Sequence, residues 1–251
     1  MKKTRPAAPV DCIVMPLSFG SLFAGIGGLD LGLERAGMVC KWQVEIDPYC
    51  RRVLEIHWPD VRRWDDVRTW PQPDAERVDL LCGGFPCQDV SRAGKQVGID
   101  GPRSGLWSEL ARIIRDCRPR FVLLENTPGL LDGGIDRVLW DLAKIGFNAE
   151  WTVLSSCRFG APHTRERVFV LAYPNGDTRE RFKRGRVFGP QDSDQERNVY
   201  EQWSRDEPPR VADGVSGWMD TAANRAIGNA VDPRVSEFIG RRIVEAVESA
   251  A

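Results

Sequence analysis

The stretch Val78-Asp79-Leu80-Leu81-Cys82-Gly83-Gly84-Phe85-Pro86-Cys87-Gln88 joins an apolar run to a glycine-led loop that carries a cysteine behind a proline. The run from Val78 to Cys82 predicts a buried strand, and the two glycines predict the turn that ends it. Open α/β sheets bind ligands at the carboxyl ends of their strands, so this loop would display the Cys87 thiol at a binding edge. Taken alone, Cys87 could equally be a small buried hydrophobic residue, so other features must decide.

Strand patterns alternate with helical patterns along most of the chain. Near-continuous apolar segments, typical of strands covered on both faces, end at Phe23, Ile46, Cys82, Leu124, Leu154 and Tyr173. Apolar stripes with helical spacing lie between them, and they comprise Leu29, Leu33 and Ala36; Leu106, Leu110, Ile113 and Cys117; and Ile135, Leu139, Leu142 and Ile145. We therefore predict a parallel α/β sheet from Ser18 to Tyr173, with helices on both sides.

Composition narrows the class of protein further. With 251 residues and 42% hydrophobic content, the chain can bury a full core. Seven cysteines without a C-x-x-C pair, beside only two histidines, indicate reduced thiols and give no indication of a metal site. No run of membrane-spanning or signal-peptide length is present, so a cytoplasmic protein is expected. The net charge of −1 gives no global sign of a nucleic-acid partner, and any such surface must be local.

The texture changes at Pro174 to a polar stretch that runs to about Trp218. Order then returns, because Asp232 can cap a helix that has Pro233 in its first turn. The buried stripe of that helix would consist of Val235, Phe238, Ile239, Ile243 and Ala246.

A glycine-rich turn, Phe23-Ala24-Gly25-Ile26-Gly27-Gly28, lies between the first predicted strand and helix. Such a turn lets a ligand approach backbone N–H groups at a helix N-terminus. Glu45, at the end of the next strand, can accept hydrogen bonds from ribose hydroxyls. Asp66, after a third candidate strand, could accept from an adenine amino group, although Asp65-Asp66 also suits an exposed turn. These residues predict a nucleotide-like cofactor and do not separate NAD from S-adenosylmethionine.

Two further signals place charged groups near the same edge. Leu124-Glu125-Asn126-Thr127-Pro128 brings a carboxyl to the end of a strand, where burial would raise its pKa and suit it to general acid work. An isolated glutamate there could also simply cap a loop. Arg165-Glu166-Arg167 leads into an apolar strand, and its two arginines could grip an anion or polarise a carbonyl, or form a solvated edge.

In their order along the chain and in their residues, these motifs resemble those of the DNA cytosine-5 methyltransferase family. The matching segments are the cofactor loop Phe23 to Gly28, the catalytic loop Gly84 to Gln88, Glu125-Asn126, Gly160 to Arg167, and Ile227-Gly228-Asn229-Ala230-Val231. The resemblance implies a Rossmann-like S-adenosylmethionine-dependent methyltransferase sheet. It also implies methyl transfer to carbon 5 of a flipped-out cytosine in duplex DNA.

The family assigns roles to the catalytic candidates. Cys87 would add to carbon 6 of the cytosine, Glu125 would donate a proton to ring nitrogen 3, and Arg165 would hold the exocyclic oxygen. Arg167 belongs to the same catalytic set. In the cofactor site, Glu45 would take the ribose hydroxyls and Asp66 the adenine amino group. The other implied cofactor contacts are Phe23, Gly25, Ile26, Gly28, Ile46, Val67, Pro86, Asn229 and Val231.

The resemblance also divides the chain and suggests where DNA binds. Residues 1–173 would form the catalytic and cofactor-binding domain, 174–218 a short target-recognition region, and 219–251 a segment completing the catalytic domain. In the recognition region Arg181, Lys183 and Arg184 form a basic cluster, which could instead be a solvated charge run. Candidate DNA contacts near the catalytic loop are Gln88, Ser91 and Arg103. A region of about 45 residues suits a target of about two to four base pairs, because each base-reading side chain needs a backbone to hold it.

Some features depart from the family pattern, and some alternatives stay open. Ser21 stands where an acidic residue is usual, Thr127 follows Glu-Asn in place of Val, and His163 replaces Gln. The short region could be a minimal domain, a segment ordered by DNA or a degraded remnant. The competing hypotheses are a tRNA cytosine methyltransferase of the same fold, a catalytically silent DNA-binding relative and a dehydrogenase. We expect a monomer without a membrane association, with duplex DNA as partner, and a cognate restriction endonuclease is compatible with the family.

Overall fold

The computed structural model describes residues 15–70, 75–86, 105–176, 187–188 and 221–249 of the chain. Seven strands in this part form one sheet: β1 (Ser18–Leu22), β2 (Val39–Val44), β3 (Arg62–Trp64), β4 (Leu80–Gly84), β5 (Phe121–Asn126), β6 (Phe147–Ser155) and β7 (Glu166–Pro174). Their order across the sheet is β3-β2-β1-β4-β5-β7-β6. The six predicted strands are therefore present, and their ends lie within two residues of the expected positions.

Helices cover both faces of the sheet, as predicted. They are α1 (Gly28–Arg35), α2 (Pro48–His57), α3 (Gly105–Cys117), α4 (Leu130–Gly133), α5 (Ile135–Lys144), α6 (Thr221–Asn229) and α7 (Pro233–Glu248). Apolar side chains of α3 and α5, such as Leu110 and Val138, pack with Val122 and Leu124 of β5 on one face. Leu33 of α1 and Ile239 of α7 pack on the other face, where Phe121 and Leu123 of β5 contribute. Alternation along β5 thus supplies both halves of the core.

The prediction of an all-parallel sheet was wrong at one strand. β7 lies between β5 and β6 and runs antiparallel to both. Only a short connection with one turn of 3₁₀ helix, Ser156–Phe159, separates β6 from β7. A parallel pair needs a crossover of a dozen or more residues, usually with a helix, so this connection forces a hairpin.

Helix α7 packs closely against α1 and returns the C-terminal segment to the glycine-rich turn. A methyl group at Gly32 would lie 2.0 Å from Ser236 Oγ, and one at Gly240 would lie 2.7 Å from Ala36 Cβ. Ser236 Oγ also donates a hydrogen bond to the Gly28 carbonyl at 3.0 Å. Small residues on both helices therefore allow backbone contact that larger side chains would prevent.

The start of α7 is capped as predicted. Asp232 is its N-cap residue and accepts a hydrogen bond from the Arg234 backbone at 3.0 Å, with Pro233 following directly. Helix α2 begins in the same way, because Asp47 caps it and Pro48 follows. Among the described residues no helix has both the length and the apolar character needed to cross a membrane.

A buried polar network lies beneath the glycine-rich turn. Asp30 in α1 is fully buried and accepts hydrogen bonds from Ser21 Oγ at 3.0 Å and Gln43 Nε2 at 2.8 Å. Gln43 in turn accepts from Arg63 Nε at 3.0 Å, and Arg63 also donates to the Leu54 carbonyl at the end of α2. Burial raises the pKa of Asp30 to about 6, although the two hydrogen bonds oppose that rise. The network joins β1, α1, β2, β3 and α2.

Candidate active site

One cavity of about 640 Å³ opens at the carboxyl ends of the parallel strands. Its wall brings together segments from β1, β2, β4, β5, β7 and α6 that are far apart in sequence. Ten of the eleven predicted cofactor-binding residues line it: Phe23, Gly25, Gly28, Glu45, Ile46, Asp66, Val67, Pro86, Asn229 and Val231. Ile26, the eleventh of these residues, does not line the described part of the wall.

The glycine-rich turn has an unusual backbone at Phe23. This residue adopts φ 54, a left-handed conformation that few side chains other than glycine accept. The turn is held by a hydrogen bond from the Ala24 amide to the Val44 carbonyl at 3.1 Å, which ties it to β2. The ring of Phe23 packs against the core beside the cavity. The backbone strain therefore coincides with the predicted ligand-binding turn.

Glu45 follows β2 and links the glycine-rich turn to the start of α2. Its Oε2 accepts from the Gly25 amide at 2.7 Å and its Oε1 accepts from the Asp47 amide at 2.8 Å. Burial raises the pKa of this carboxyl, and the two backbone hydrogen bonds oppose the rise. Each carboxylate oxygen can accept more than one hydrogen bond, so Glu45 keeps acceptor capacity toward the cavity. Ile46 beside it is 61% exposed and offers an apolar surface to a flat ring.

Asp66 caps the short 3₁₀ helix Val67–Thr69 and is already paired. Its carboxylate accepts from the backbone amide of Arg68 at 2.9 Å and from Arg68 Nη2 at 2.7 Å. These hydrogen bonds lower its pKa. Arg68 would have to share this carboxylate with an adenine amino group if Asp66 takes the predicted role.

Glu125 lies at the end of β5 with 8% of its surface exposed. Its Oε1 forms an ion pair with Arg167 Nε at 2.9 Å. Burial raises the pKa of Glu125 to about 7, although the charges of Arg167 and Arg165 and the hydrogen bond from Arg167 oppose the rise. The carboxyl can therefore carry a proton near neutral pH, as a general acid requires.

The two arginines have different partners. Arg167 lines the cavity and holds Glu125. Arg165 Nη2 instead donates to the Gly228 carbonyl at 2.7 Å, which links the entry of β7 to α6. The Nε atom of Arg165 is buried and has no hydrogen-bond partner among the described residues. His163, two residues earlier, is exposed.

Gly84 and Asn126 position the elements around Glu125. Gly84 and Glu125 are register partners in the parallel β4–β5 pair. Asn126 Nδ2 donates to the Phe85 carbonyl at 3.1 Å, while its Oδ1 accepts from the Thr127 amide at 2.8 Å. The two residues of the Glu-Asn pair therefore have different roles. Glu125 faces the cavity, and Asn126 holds the loop that leads to Cys87.

Seven predicted site residues lie outside the part of the chain that the structure describes. They are Cys87, Gln88, Ser91, Arg103, Arg181, Lys183 and Arg184. Pro86, the residue before Cys87, is described and lines the cavity.

Three residues in or near the site were missed by sequence reasoning. Cys50 in the first turn of α2 and Arg225 in α6 line the cavity. Asp30 supports the glycine-rich turn from below. An acidic residue inside the apolar stripe Leu29 to Leu33 was a signal for Asp30, whereas nothing local marks Cys50 or Arg225.

The sheet and its cavity define the Rossmann-like α/β fold of S-adenosylmethionine-dependent methyltransferases. The methyltransferase EhMeth of Entamoeba histolytica shares this fold, with a TM-score of 0.65 and 13% identity over 93% of this chain and 99% of that one. The model of the C-5 cytosine-specific DNA methylase family matches residues 17–209, and the chain belongs to that family.

Among curated relatives, the type II methyltransferase M.DsaV of Dactylococcopsis salina is 35% identical over 62% of this chain and 46% of its own length. The type II methyltransferase M.HhaI of Haemophilus parahaemolyticus is 34% identical over 63% of this chain and 50% of its own length. The chain thus matches about half the length of these relatives.

Proposed function

We propose that the chain transfers a methyl group from S-adenosylmethionine to carbon 5 of a flipped-out cytosine in a short duplex DNA sequence. The observation that carries this proposal is a single cavity that joins two kinds of group. Glu45 and Ile46 line it at one end, and the protonatable Glu125 lines it together with Pro86, the neighbour of Cys87. A cofactor site and a reactive thiol would thus face each other across one space.

The cavity fits S-adenosylmethionine. Its volume of about 640 Å³ lies in the range of small-molecule sites. The exposed side chain of Ile46 and that of Val67, which lines the same cavity, suit an adenine ring, and the Glu45 carboxylate suits a ribose diol. When bound, S-adenosylmethionine supplies an electrophilic methyl group on a sulfonium.

The remaining chemistry belongs to the chain's own residues and the cytosine. Carbon 5 of cytosine is a poor nucleophile, and addition of the Cys87 thiolate to carbon 6 would make it enamine-like. Glu125 would donate its proton to ring nitrogen 3 during that addition, which neutralises the negative charge that develops on the ring. Once carbon 5 has taken up the methyl group, a base removes the proton from that carbon and the Cys87 thiolate leaves carbon 6. Ring nitrogen 3 returns its proton to the Glu125 carboxylate as the aromatic ring is restored. The cytosine must leave the base stack for any of these contacts.

We assign the two arginines different roles from their partners. Arg167 lines the cavity beside Glu125, so it is the better placed to contact the exocyclic oxygen of the base. Arg165 is hydrogen-bonded to Gly228, and we propose that it positions the segment Ile227 to Val231. This modifies the expectation that Arg165 holds the oxygen.

The test is covalent trapping on DNA that carries 5-fluorocytosine. Fluorine cannot leave as a proton does, so the wild-type chain with S-adenosylmethionine should form a stable protein–DNA adduct that survives denaturing electrophoresis. Cys87→Ser should abolish the adduct and turnover while it retains DNA binding. Bisulfite sequencing of plasmid DNA from expressing cells would then locate the methylated cytosines. Undiminished methylation by Cys87→Ser would contradict the mechanism.

The two alternatives are a tRNA cytosine methyltransferase and a silent DNA-binding relative, and they are tested by adding tRNA as a second methylation substrate beside the trapping assay. Methylation of tRNA without methylation of duplex DNA supports the first, and DNA binding without an adduct supports the second. The division into 1–173, 174–218 and 219–251, with recognition by Arg181, Lys183 and Arg184, remains part of the proposal. Neutralising all three should flatten the salt dependence of DNA binding by roughly one unit of slope per lost phosphate contact.

A further inference from the structure

The cavity wall is rich in acidic groups. Its described charged residues comprise five carboxylates, Glu45, Asp47, Asp65, Asp66 and Glu125, and three arginines, Arg68, Arg167 and Arg225. Such a wall favours cations over anions. An anionic group in this wall would gain most from a positive charge that is not already paired with a carboxylate.

Two of the three arginines already form an ion pair with a carboxylate of the wall. Arg68 Nη2 lies 2.7 Å from Asp66 Oδ2, and Arg167 Nε lies 2.9 Å from Glu125 Oε1. Arg225 has no hydrogen bond or ion pair to any residue that the structure describes. The Cys50 thiol is its electrostatic neighbour: burial raises the pKa of Cys50 to about 11, and the charge of Arg225 opposes that rise.

The position of Arg225 places it at one end of the cavity. It stands one helical turn before Asn229 in α6, so the two side chains share a helix face. Asn229 and Val231 form the wall next to the glycine-rich turn, where a methyl group at Gly28 would lie 2.2 Å from the Val231 carbonyl oxygen. Arg225 therefore lies at the end of the cavity that is formed by the glycine-rich turn and the start of helix α2. The ion pair of Glu125 and Arg167 lies away from this end.

S-adenosylmethionine carries a sulfonium, an ammonium and one carboxylate. The two cationic groups suit an acidic wall, whereas the carboxylate is repelled by it unless a cation is near. A guanidinium can donate two parallel hydrogen bonds to a carboxylate, which gives both charge and orientation. We propose that Arg225 binds the carboxylate of the cofactor's methionine moiety and selects ligands that carry it; this role rests on the proposed cofactor.

The experiment measures binding and does not depend on turnover. Isothermal titration calorimetry compares S-adenosylhomocysteine with its decarboxylated analogue, S-adenosyl-3-thiopropylamine, which lacks only the carboxylate. The full-length wild-type chain, Arg225→Gln and Arg225→Lys are each titrated with both ligands. Because Arg225 is exposed, its charge-assisted contact is partly screened, and we expect Arg225→Gln to weaken S-adenosylhomocysteine about tenfold. The analogue should bind both proteins within a factor of about two, and Arg225→Lys should lie between.

A matched control comes from α2. Arg52 is an exposed arginine whose guanidinium lies 5.8 Å from the Tyr49 ring centre, and it does not line the described cavity wall. Arg52→Gln removes the same charge, so it should leave the preference for S-adenosylhomocysteine unchanged. Equal weakening of both ligands by Arg225→Gln, or of neither, overturns the role of Arg225. If Arg225→Gln weakens only duplex binding, the residue is a DNA contact and the proposal is wrong. If the wild-type chain binds neither ligand, the proposed cofactor itself fails.

Discussion

Gly84 and Glu125 face each other across the β4–β5 pair so closely that a methyl group at position 84 would lie 2.5 Å from Glu125 Oε2. No side chain can stand at position 84 while the carboxyl keeps its place beside Arg167. The glycine that precedes Phe85-Pro86-Cys87 therefore serves the neighbouring strand as well as its own loop.

Gly84→Ala should displace the Glu125 carboxyl and weaken its ion pair with Arg167. We expect a loss of about 1–3 kcal/mol in the free energy of unfolding, as for other overpacked sites, and a single-turnover methylation rate lowered by at least about tenfold, the scale of one lost catalytic hydrogen bond. Urea unfolding and a rapid-quench methylation assay measure the two quantities. Gly240→Ala is the control, because it introduces a clash with Ala36 and Leu33 in the contact between α7 and α1, and neither residue lines the cavity. It should destabilise the fold but leave the rate of the folded fraction unchanged; equal rate losses in both variants would contradict the prediction.

The pH dependence of methylation should report the Glu125 proton. Its pKa of about 7 means that the protonated form is lost as the pH rises above neutrality. The rate should therefore fall on the alkaline side, with a midpoint near that value. Arg167 lowers the pKa of Glu125, so Arg167→Gln should move the midpoint to higher pH and Arg167→Lys should move it less. The pH profile of kcat/KM from about pH 6 to 9 tests this. A midpoint that moves to lower pH in Arg167→Gln would exclude Glu125 as the proton donor.

Stability should also depend on pH through Asp30. Its folded pKa of about 6 lies above the ordinary value of 3.8. The native state therefore holds the proton more tightly, and the contribution of Asp30 to stability is largest below pH 3.8 and falls as the pH rises toward 6. Asp30→Asn removes this term, so the variant should lose less stability than the wild-type chain between pH 4 and 6. Urea unfolding across this range measures the difference.

The capping residue of α7 provides a control of opposite sign for that measurement. Burial raises the pKa of Asp232, but hydrogen bonds from the Arg234 side chain and backbone outweigh burial and the net shift is downward. Asp232 therefore adds stability above its unfolded pKa and loses it as the pH falls. Asp232→Asn should reduce the gain in stability on going from acid to neutral pH. Shifts of the same sign in both variants would contradict the two assignments.

Asn126→Asp should separate catalysis from cofactor binding. An aspartate keeps the size of Asn126 but cannot donate to the Phe85 carbonyl, so two oxygens would face each other. We expect methylation to fall roughly tenfold, the scale of one lost hydrogen bond with an unpaired partner. S-adenosylhomocysteine binding, measured by calorimetry, should change little because Asn126 makes no hydrogen bond to Glu45 or to the glycine-rich turn. Thr127→Val is the neighbouring control: its buried Oγ1 has no partner among the described residues, so its removal should not lower stability. Equal losses in binding and rate for Asn126→Asp would contradict the loop-holding role.

The sequence predicted those parts of the molecule that depend on local pattern. Near-continuous apolar runs such as Phe121 to Leu124 identified the strands, because a strand covered on both faces needs apolar side chains at every position. Glu45, Glu125 and Pro86 each follow or end a predicted parallel strand, so the sequence predicted that they share one edge of the sheet. They line one cavity. The direction of β7 was missed because it depends on the length of the connection after β6 and not on the pattern within the strand.

Features that depend on packing between distant elements could not be predicted. Arg165 and Arg167 are two residues apart, so an extended chain would place both side chains on the same side. Only the positions of α6 and β5 give them different partners. Arg225 enters the cavity because α6 packs on α2, and neither sequence contains a sign of the other. The partners of Asp30 could not be predicted for the same reason, since Gln43 and Ser21 come from two other elements.

The contact between α7 and α1 also sets an order of events during synthesis. Ser236 and Gly28, which share a hydrogen bond, lie 208 residues apart in the chain. At the usual pace of translation, roughly 10 to 40 s pass between the making of the two residues. Through that interval α7 is not yet packed on the Leu33 face of α1, and the cleft described above as the cavity lacks the wall that Asn229 and Val231 provide. A nascent chain on the ribosome therefore cannot assemble the cleft, and we expect it to modify DNA only after α7 has left the exit tunnel.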